Sequence, residues 1–224
     1  MIRVFIGYDP REAVSYHVLS HSILSRSSEP VQITPLALLN LKPVFDRPKD
    51  AKQSTDFSFS RFIVPYLSNY EGWSLFCDCD MLMLDDIANL WKLRDDKYAA
   101  QVVKHEHNPT DDVKFLGKLQ TKYEKKNWSS VILFNNAKCR ALTKEYVNTA
   151  SGLELHQFKW LGDDNLIGAI PGRWNHLVDY DPALPSSAIS LLHYTEGGPY
   201  FENYKNCGYA AEWFAERDRM LQAG

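Results

Sequence analysis

Short apolar, β-branched runs recur along this chain, separated by stretches whose apolar residues return at helical spacing. The first run, Ile2 to Ile6, predicts a strand that ends at Gly7-Tyr8-Asp9-Pro10. There Asp9 is a natural N-cap, Pro10 suits the first helical position and Glu12 completes a capping box. A helix is therefore expected to carry Ala13, Val14, His17, Val18 and His21 toward Ser25. Val31 to Thr34 predicts a second strand, and the Pro-, Lys- and Asp-bearing stretch from Leu38 to Ser54 a long surface loop. Phe57 to Leu67 has helical spacing, with Pro65 expected to kink or end it. Trp73 to Cys77 predicts a third strand, which runs into Asp78-Cys79-Asp80, and Asp86 then caps a short helix through Leu90 and Trp91. Further strands are expected at Tyr98 to Val103, Val131 to Phe134 and Ala188 to Leu192. The polar stretch with His105, Glu106, His107, Asp111 and Asp112 reads as loop and helix, and a helical segment is expected near Asp164 to Ile170. A last amphipathic helix spans Tyr209 to Leu221. Strands interleaved with helices predict an α/β protein with a mainly parallel central sheet flanked by helices. No repeat or linker divides residues 1–224, so one domain is expected.

Composition narrows the function classes. The chain has 224 residues, 45% hydrophobic and 24% charged, which is long and apolar enough for a core without disulfides or a structural metal. A formal net charge of -3 argues against a dedicated nucleic-acid binder. Cys77, Cys79, Cys139 and Cys207 form no CxxC pair and are expected to be reduced thiols. With no signal-peptide core and no apolar run of membrane-spanning length, a cytoplasmic protein without an integral membrane segment is expected. Nothing in the sequence marks an oligomeric interface.

The candidate chemistry lies at Asp78-Cys79-Asp80. Ligands of open α/β sheets collect beyond the carboxyl ends of the strands. Two carboxylates two positions apart there project the same way on extended backbone, and such a pair can hold Mg²⁺ or Mn²⁺ while leaving positions for phosphate oxygens. Bound metal would neutralise a diphosphate leaving group. The plain alternative is a polar turn after a strand.

In context these residues resemble a family. Phe76-Cys77-Asp78-Cys79-Asp80-Met81-Leu82, with Asp86-Ile87 and Leu90, resembles the DxD region of family-8 glycosyltransferases, the glycogenin and bacterial galactosyltransferase group. Phe57-Ser58-Phe59-Ser60-Arg61-Phe62 with Pro65 resembles its donor-binding helix, and Trp128-Ser129-Ser130-Val131-Ile132-Leu133-Phe134-Asn135 its Asn-Ala-Gly-Val strand. Asp163-Asp164-Asn165-Leu166-Ile167-Gly168 resembles its Asp-Gln-Asp segment, and His193-Tyr194 with Gly198-Pro199-Tyr200 its His-containing ending. The resemblance implies a GT-A nucleotide-diphospho-sugar transferase domain that moves a sugar from a nucleotide-diphosphate donor, a UDP-sugar foremost, to an acceptor hydroxyl with anomeric retention. It implies Asp78, Asp80 and His193 as metal ligands, and Mn²⁺ tolerates the imidazole nitrogen better than Mg²⁺. Tyr8 and Asp9 would meet the base or ribose, and Arg61 the diphosphate or Asp78. Asp163 would hold sugar hydroxyls and Asp164 would stabilise the oxocarbenium-like transition state, unless one of the two merely caps the next helix.

The departures are also specific. Trp128, Ser129 and Ser130 replace the polar and small residues that head the family's strand, so sugar or acceptor contacts there would differ. Asp164 stands at the family's Gln and Asn165 at its second Asp. Glu196-Gly197-Gly198-Pro199-Tyr200 lacks the diphosphate-binding Lys, and the backbone of Gly197 and Gly198 would replace it as an anion nest, in a segment expected to close over the donor. Two alternatives stand beside this expectation. One is a haloacid-dehalogenase-like Mg²⁺-dependent phosphatase, with Gly162-Asp163-Asp164 as its later acidic motif; the other is a sugar- or nucleotide-binding protein without turnover. His17 and His21 lie four apart but lack a third zinc ligand, and Lys42 and Lys52 are further phosphate candidates.

Overall fold

The computed structural model describes residues 1–49, 53–105 and 125–222, together with the backbone of 113–114 and 118–119. Glu106, His107, Asp111, Asp112 and Lys52 lie outside the described residues. In chain order the elements are β1 (Ile2–Gly7), α1 (Ala13–Arg26), β2 (Val31–Leu36), α2 (Leu38–Leu41), α3 (Val64–Leu67), β3 (Trp73–Cys77), β4 (Met81–Met83), α4 (Ile87–Trp91) and β5 (Ala100–Val102). Next come β6 (Val113–Lys114), β7 (Lys118–Leu119), β8 (Val131–Asn135), α5 (Lys144–Thr149), α6 (Gly152–His156), β9 (Ile167–Ala169), β10 (His176–Leu177), β11 (Leu191–His193) and α7 (Ala210–Gln222).

The main sheet has the order β2-β1-β3-β8-β5-β9. Strand β1 pairs parallel with β2 and β3, and β5 pairs parallel with β9. Only β8 runs the other way, antiparallel to both β3 and β5. The central strands β3 and β8 are buried almost throughout, which explains why they read as unbroken apolar runs rather than as alternating ones. A second, three-stranded sheet, β10-β11-β4, follows directly from the end of β3. Helix α1 lies between the two layers. Its Leu19 and Ile23 belong to the main core, whereas Val18 packs with Leu82, Leu192, Tyr194 and Trp213 in a smaller core roofed by α7.

Several local expectations change. Asp9 does cap, accepting from the backbone N–H of Arg11 at 3.0 Å, but it heads a 3-10 turn (Pro10–Glu12) from which α1 continues. Glu12 forms no capping box, because its side chain is fully buried and its Oε1 accepts the Tyr200 hydroxyl at 2.7 Å. Pro65 neither kinks nor ends its helix; it sits in the first turn of α3, where its missing N–H costs nothing. The helix expected over Asp164 to Ile170 is a single 3-10 turn that passes into β9, since Ile167 to Ala169 pair with β5. The last short strand begins three positions later than expected, at Leu191, and β4 lies in the run after Asp80. The Leu38 to Ser54 loop contains the short α2. A Cβ on Gly7 would lie 2.4 Å from the Phe57 ring, so this strand end admits only glycine with Phe57 in place.

Helix α7 is fastened to α1 by a buried carboxylate. Glu216 has no exposed surface and receives His21 Nδ1 at 2.6 Å, Arg26 Nη2 at 2.6 Å and Arg219. His21 is thereby engaged by the Glu216 carboxylate rather than in a zinc site with His17. Burial opposes the charge on Glu216, but its hydrogen bonds to Arg26, Arg219 and His21 outweigh it and hold the carboxyl down at about 2. A folded-state value below the ordinary one adds stability above about pH 4.5 that is lost as pH falls toward 2. Glu216→Ala is expected to lower unfolding free energy by about 3–5 kcal/mol, as removal of one partner of a buried ion pair does. Urea unfolding at several pH values checks this: the acid-side loss should flatten in the variant, and an unchanged midpoint at pH 7 contradicts it.

Candidate functional site

The register of the main sheet sets Ile6 beside Cys77 and Cys77 beside Val131, so three chain segments reach one edge together. These are Tyr8-Asp9 after β1, Asp78-Cys79-Asp80 after β3, and Ser129-Ser130 before the reversed β8. The backbone N–H of Asp78 donates to Ser130 O at 3.0 Å, which anchors the acidic segment to β8. The second sheet then adds a fourth segment. Antiparallel pairing of β4 with β11 aligns Met81 with His193, and Tyr194 N donates to Asp80 O at 2.8 Å. His193 Nε2 consequently lies 3.4 Å from Asp80 Oδ1 and 4.0 Å from Asp78 Oδ2.

Asp78, Asp80 and His193 are all buried and offer ligand atoms within 4.8 Å of one another. Asp80 Oδ1 is buried and faced by His193 Nε2 at 3.4 Å, so two buried carboxylates and one imidazole share a small space in which a cation would relieve the crowded negative charge. Two hard oxygens and one imidazole nitrogen suit a divalent ion of the Mg²⁺ or Mn²⁺ kind, so the residues fit the metal expected of them. Burial disfavours a charged His193 ring, yet the Asp80 carboxylate with Asp78 outweighs it and raises the imidazole above its ordinary value. The site is thus built to favour positive charge where Nε2 points.

The other anticipated residues are distributed around this centre. Arg61 is buried and lays Nη1 2.9 Å from Asp78 Oδ1 and 2.8 Å from Ser129 O, with Nε on Ser58 O at 3.1 Å. Of its two expected partners, the structure gives it Asp78. Tyr8 is half-buried at the end of β1, its ring edge-on to Tyr16 at 5.4 Å. Asp9 is buried: Oδ1 accepts from the N–H and Nε of Arg11, and Oδ2 from Arg11 Nη2 and the backbone N–H of Asp56. Ser129 is buried, its Oγ 2.7 Å from His156 Nδ1, and half-buried Trp128 donates from Nε1 to His105 O at 3.0 Å. Gly197 and Gly198 are buried, and the N–H of Gly197 is committed to Tyr194 O at 3.0 Å. Gly197 has φ +146°, and a Cβ there would meet the Tyr204 ring at 2.7 Å.

Asp163 and Asp164 are not among the residues whose ligand atoms converge with those of Asp78, Asp80 and His193. They precede β9, which runs parallel to β5, so they stand at its amino end whereas Asp78 leaves β3 at a carboxyl end. Both are exposed; Asp163 accepts from Asn165 N at 2.9 Å as a cap, and Asp164 pairs with Lys125 Nζ at 2.5 Å.

Sequence reasoning missed Glu12, assigned above to a cap. It lies behind the acidic segment, where burial first and the carboxylates of Asp80, Asp9 and Asp78 next push its carboxyl up to about 8. A protonated Glu12 adds no further negative charge to this edge. Cys79 Sγ faces its Oε2 at 3.7 Å, and burial keeps the Cys77 and Cys79 thiols protonated. All four cysteines are free. Among the described residues, no helix is long and apolar enough to cross a membrane.

The overall shape matches solved glycosyltransferases of the GT-A kind. The apo structure of the glycosyltransferase GlyE from Streptococcus pneumoniae TIGR4 superposes with a TM-score of 0.65 at 14% identity, covering 100% of this chain and 63% of GlyE. The galactosyltransferase LgtC, in complex with donor and acceptor sugar analogs, gives 0.61 at 11% identity over 97% of this chain and 96% of LgtC. The bifunctional glycosyltransferase WbbM gives 0.62 at 15% identity, and the chain spans only about half of it, 51%. At such identities the likeness carries the fold. No protein-family model matches the chain. By sequence it is 46% identical over 223 residues to Protein CDI of Arabidopsis thaliana, covering 96% of this chain and 86% of that protein. With identity of that level along nearly its whole length, the chain belongs to the Protein CDI family, built on the GT-A fold.

Proposed function

We propose that the protein is a metal-dependent glycosyltransferase that moves a sugar from a nucleotide-diphosphate donor, a UDP-sugar foremost, to an acceptor hydroxyl with retention at the anomeric carbon. One observation carries this reading: Asp78, Asp80 and His193 converge, buried, at the carboxyl edge of a GT-A sheet, with the ligand atoms of all three within 4.8 Å of one another. A divalent cation held there, Mn²⁺ or Mg²⁺, would supply charge neutralisation for the departing diphosphate. The chain's own residues prepare the place. Arg61 steadies Asp78, and its bond to Ser129 O fixes β8 against the acidic segment. Tyr8 offers a half-buried ring to a nucleotide base at the end of β1. Asp9 acts from behind that ring, holding Arg11 and the Asp56 backbone, so a direct nucleotide contact by Asp9 requires the Arg11 pair to open. Gly197 and Gly198 pack their backbone against Tyr204 and Tyr200, and the Gly197 N–H is held by Tyr194 O, so an anion nest there requires that bond to open. Trp128 and Ser129 flank the same edge as sugar or acceptor contacts.

The phosphatase alternative is disfavoured. Its later acidic motif has to reach the first, and Gly162-Asp163-Asp164 lies at the amino end of β9, with Asp164 on Lys125. Asp78, its nucleophile, is paired with Arg61.

Two outcomes are expected. Calorimetric titration with a nucleotide-sugar panel should show micromolar or tighter binding of one donor in Mn²⁺, abolished by EDTA and by Asp80→Ala; donor binding indifferent to both sinks the metal-diphosphate site. Asp163→Asn and Asp164→Asn should keep turnover within a few-fold, because Asp163 caps a turn and Asp164 is paired with Lys125. Loss of turnover at unchanged melting temperature would instead return them to the sugar's reactive face.

A further inference from the structure

Behind His193 runs a chain of polar groups that a ligand set of Asp78, Asp80 and His193 does not account for. Asn175 has no exposed surface, and its Oδ1 lies 2.9 Å from His193 Nδ1. Its amide nitrogen Nδ2 lies 2.8 Å from Ser130 Oγ and 3.5 Å from the carbonyl oxygen of Asn127. Ser130 Oγ in turn donates to that same carbonyl at 2.7 Å. The orientation of the amide follows from the proton count. A backbone carbonyl is an acceptor only, so the single hydroxyl proton of Ser130 is committed to Asn127 O, and Ser130 Oγ can only accept from Asn175. The NH₂ end of Asn175 therefore faces Ser130 and Asn127, and its carbonyl end faces the histidine. A carbonyl oxygen accepts, so Nδ1 of His193 carries a proton, and in the neutral ring the lone pair of Nε2 is the one that faces the two carboxylates.

Resting on the cation-site reading above, we infer that Asn175 and Ser130 form a proton-ordering relay, anchored on the Asn127 carbonyl, that sets the His193 tautomer for metal ligation. They are positioning residues, since neither reaches the ligand atoms. The fold supports the relay in two independent ways. Asn127 holds a left-handed backbone conformation, φ +62°, which asparagine tolerates better than most residues and which aims its carbonyl back at Ser130. Asn175 ends the 3-10 turn Gly172–Trp174 and leads into β10, which pairs parallel with β11 and places Leu177 beside His193. The same pairing that carries His193 to Asp80 thus carries its tautomer-setting partner to Nδ1. Ser130 adds a further link, because its backbone carbonyl receives the N–H of Asp78 while its side chain orders Asn175. One residue therefore braces both the carboxylate and the imidazole sides of the site.

The test uses Mn²⁺ alone, titrated into the intact protein and followed by the loss of the free-ion electron paramagnetic resonance signal, with no donor or turnover needed. Asn175→Leu, which cannot accept from Nδ1, is expected to weaken Mn²⁺ binding roughly 10- to 100-fold, the usual cost of removing a second-layer partner of a ligating histidine. Asn175→Asp keeps an acceptor for Nδ1 and is expected to bind within a few-fold of the wild type. Wild-type affinity in Asn175→Leu overturns the relay, as does equal loss in Asn175→Asp and Asn175→Leu at unchanged melting temperature. Mn²⁺ binding that is absent in the wild type, or untouched by Asp80→Ala, instead overturns the cation site itself. If Asn175→Leu does not fold, long-range ¹H–¹⁵N correlation on the wild type, read against His193→Gln at a pH where the ring is neutral, decides. Protonated Nδ1 is expected, and protonated Nε2 overturns the proposal.

Discussion

Four carboxyl groups, Asp9, Glu12, Asp78 and Asp80, are buried together at one edge of the sheet, and much of the surrounding structure compensates their charge. Burying a lone ionised carboxylate is prohibitive, so each must be paired, protonated or ligated. The protein uses the first two and leaves room for the third. Arg11 pairs with Asp9 and Arg61 with Asp78, Glu12 is pushed toward its neutral acid, and Asp80 Oδ1 faces His193 Nε2 at 3.4 Å. The residual negative potential is focused where Asp78, Asp80 and His193 converge, the place at which a divalent cation would be worth most to the fold.

That compensation explains why two sheets are needed. The main sheet alone delivers Asp78 and Asp80, but the imidazole comes from β11, whose partner β4 begins immediately after Asp80. Three paired residues on each short strand suffice because the backbone bond from Tyr194 N to Asp80 O locks the register at the ligand itself. A slip of one residue would turn His193 to the opposite face. Helix α7, tied to α1 through Glu216, and the Tyr200–Glu12 bond press the C-terminal segment against this sheet, so the ligand set depends on contacts far from it in sequence.

The GT-A scaffold is shared with enzymes that are otherwise distant in sequence, and two segments where this chain departs from the motifs it resembles have their own local structure. Trp128 and Ser129 occupy the start of β8, with Ser129 against His156 and Trp128 against His105 O. After Asp163 one 3-10 turn leads into β9 where the sequence alone suggested a helix. Pairing of Ile167 to Ala169 with β5 sets the paired aspartates before the amino end of β9.

By itself the sequence determined the elements whose physics is local. The apolar runs of β1, β3 and β8, the caps at Asp9 and Asp86 and the closing helix all stand close to where periodicity and capping residues put them. Asp78-Cys79-Asp80 was legible because a charged pair directly after a buried strand has few structural uses. Tertiary structure decided the rest. Glu12 fits a capping box on paper, yet burial and the Tyr200 hydroxyl claim it. Asp164 to Ile170 carries helical spacing, but pairing with β5 satisfies its backbone better than a short, isolated helix. The reversal of β8, the strands β4 and β10 and the Asn175 relay have no periodic signal, since each is too short for one. They exist because partners distant in the chain supply their hydrogen bonds, and long-range pairing of that kind is written in no single stretch of residues.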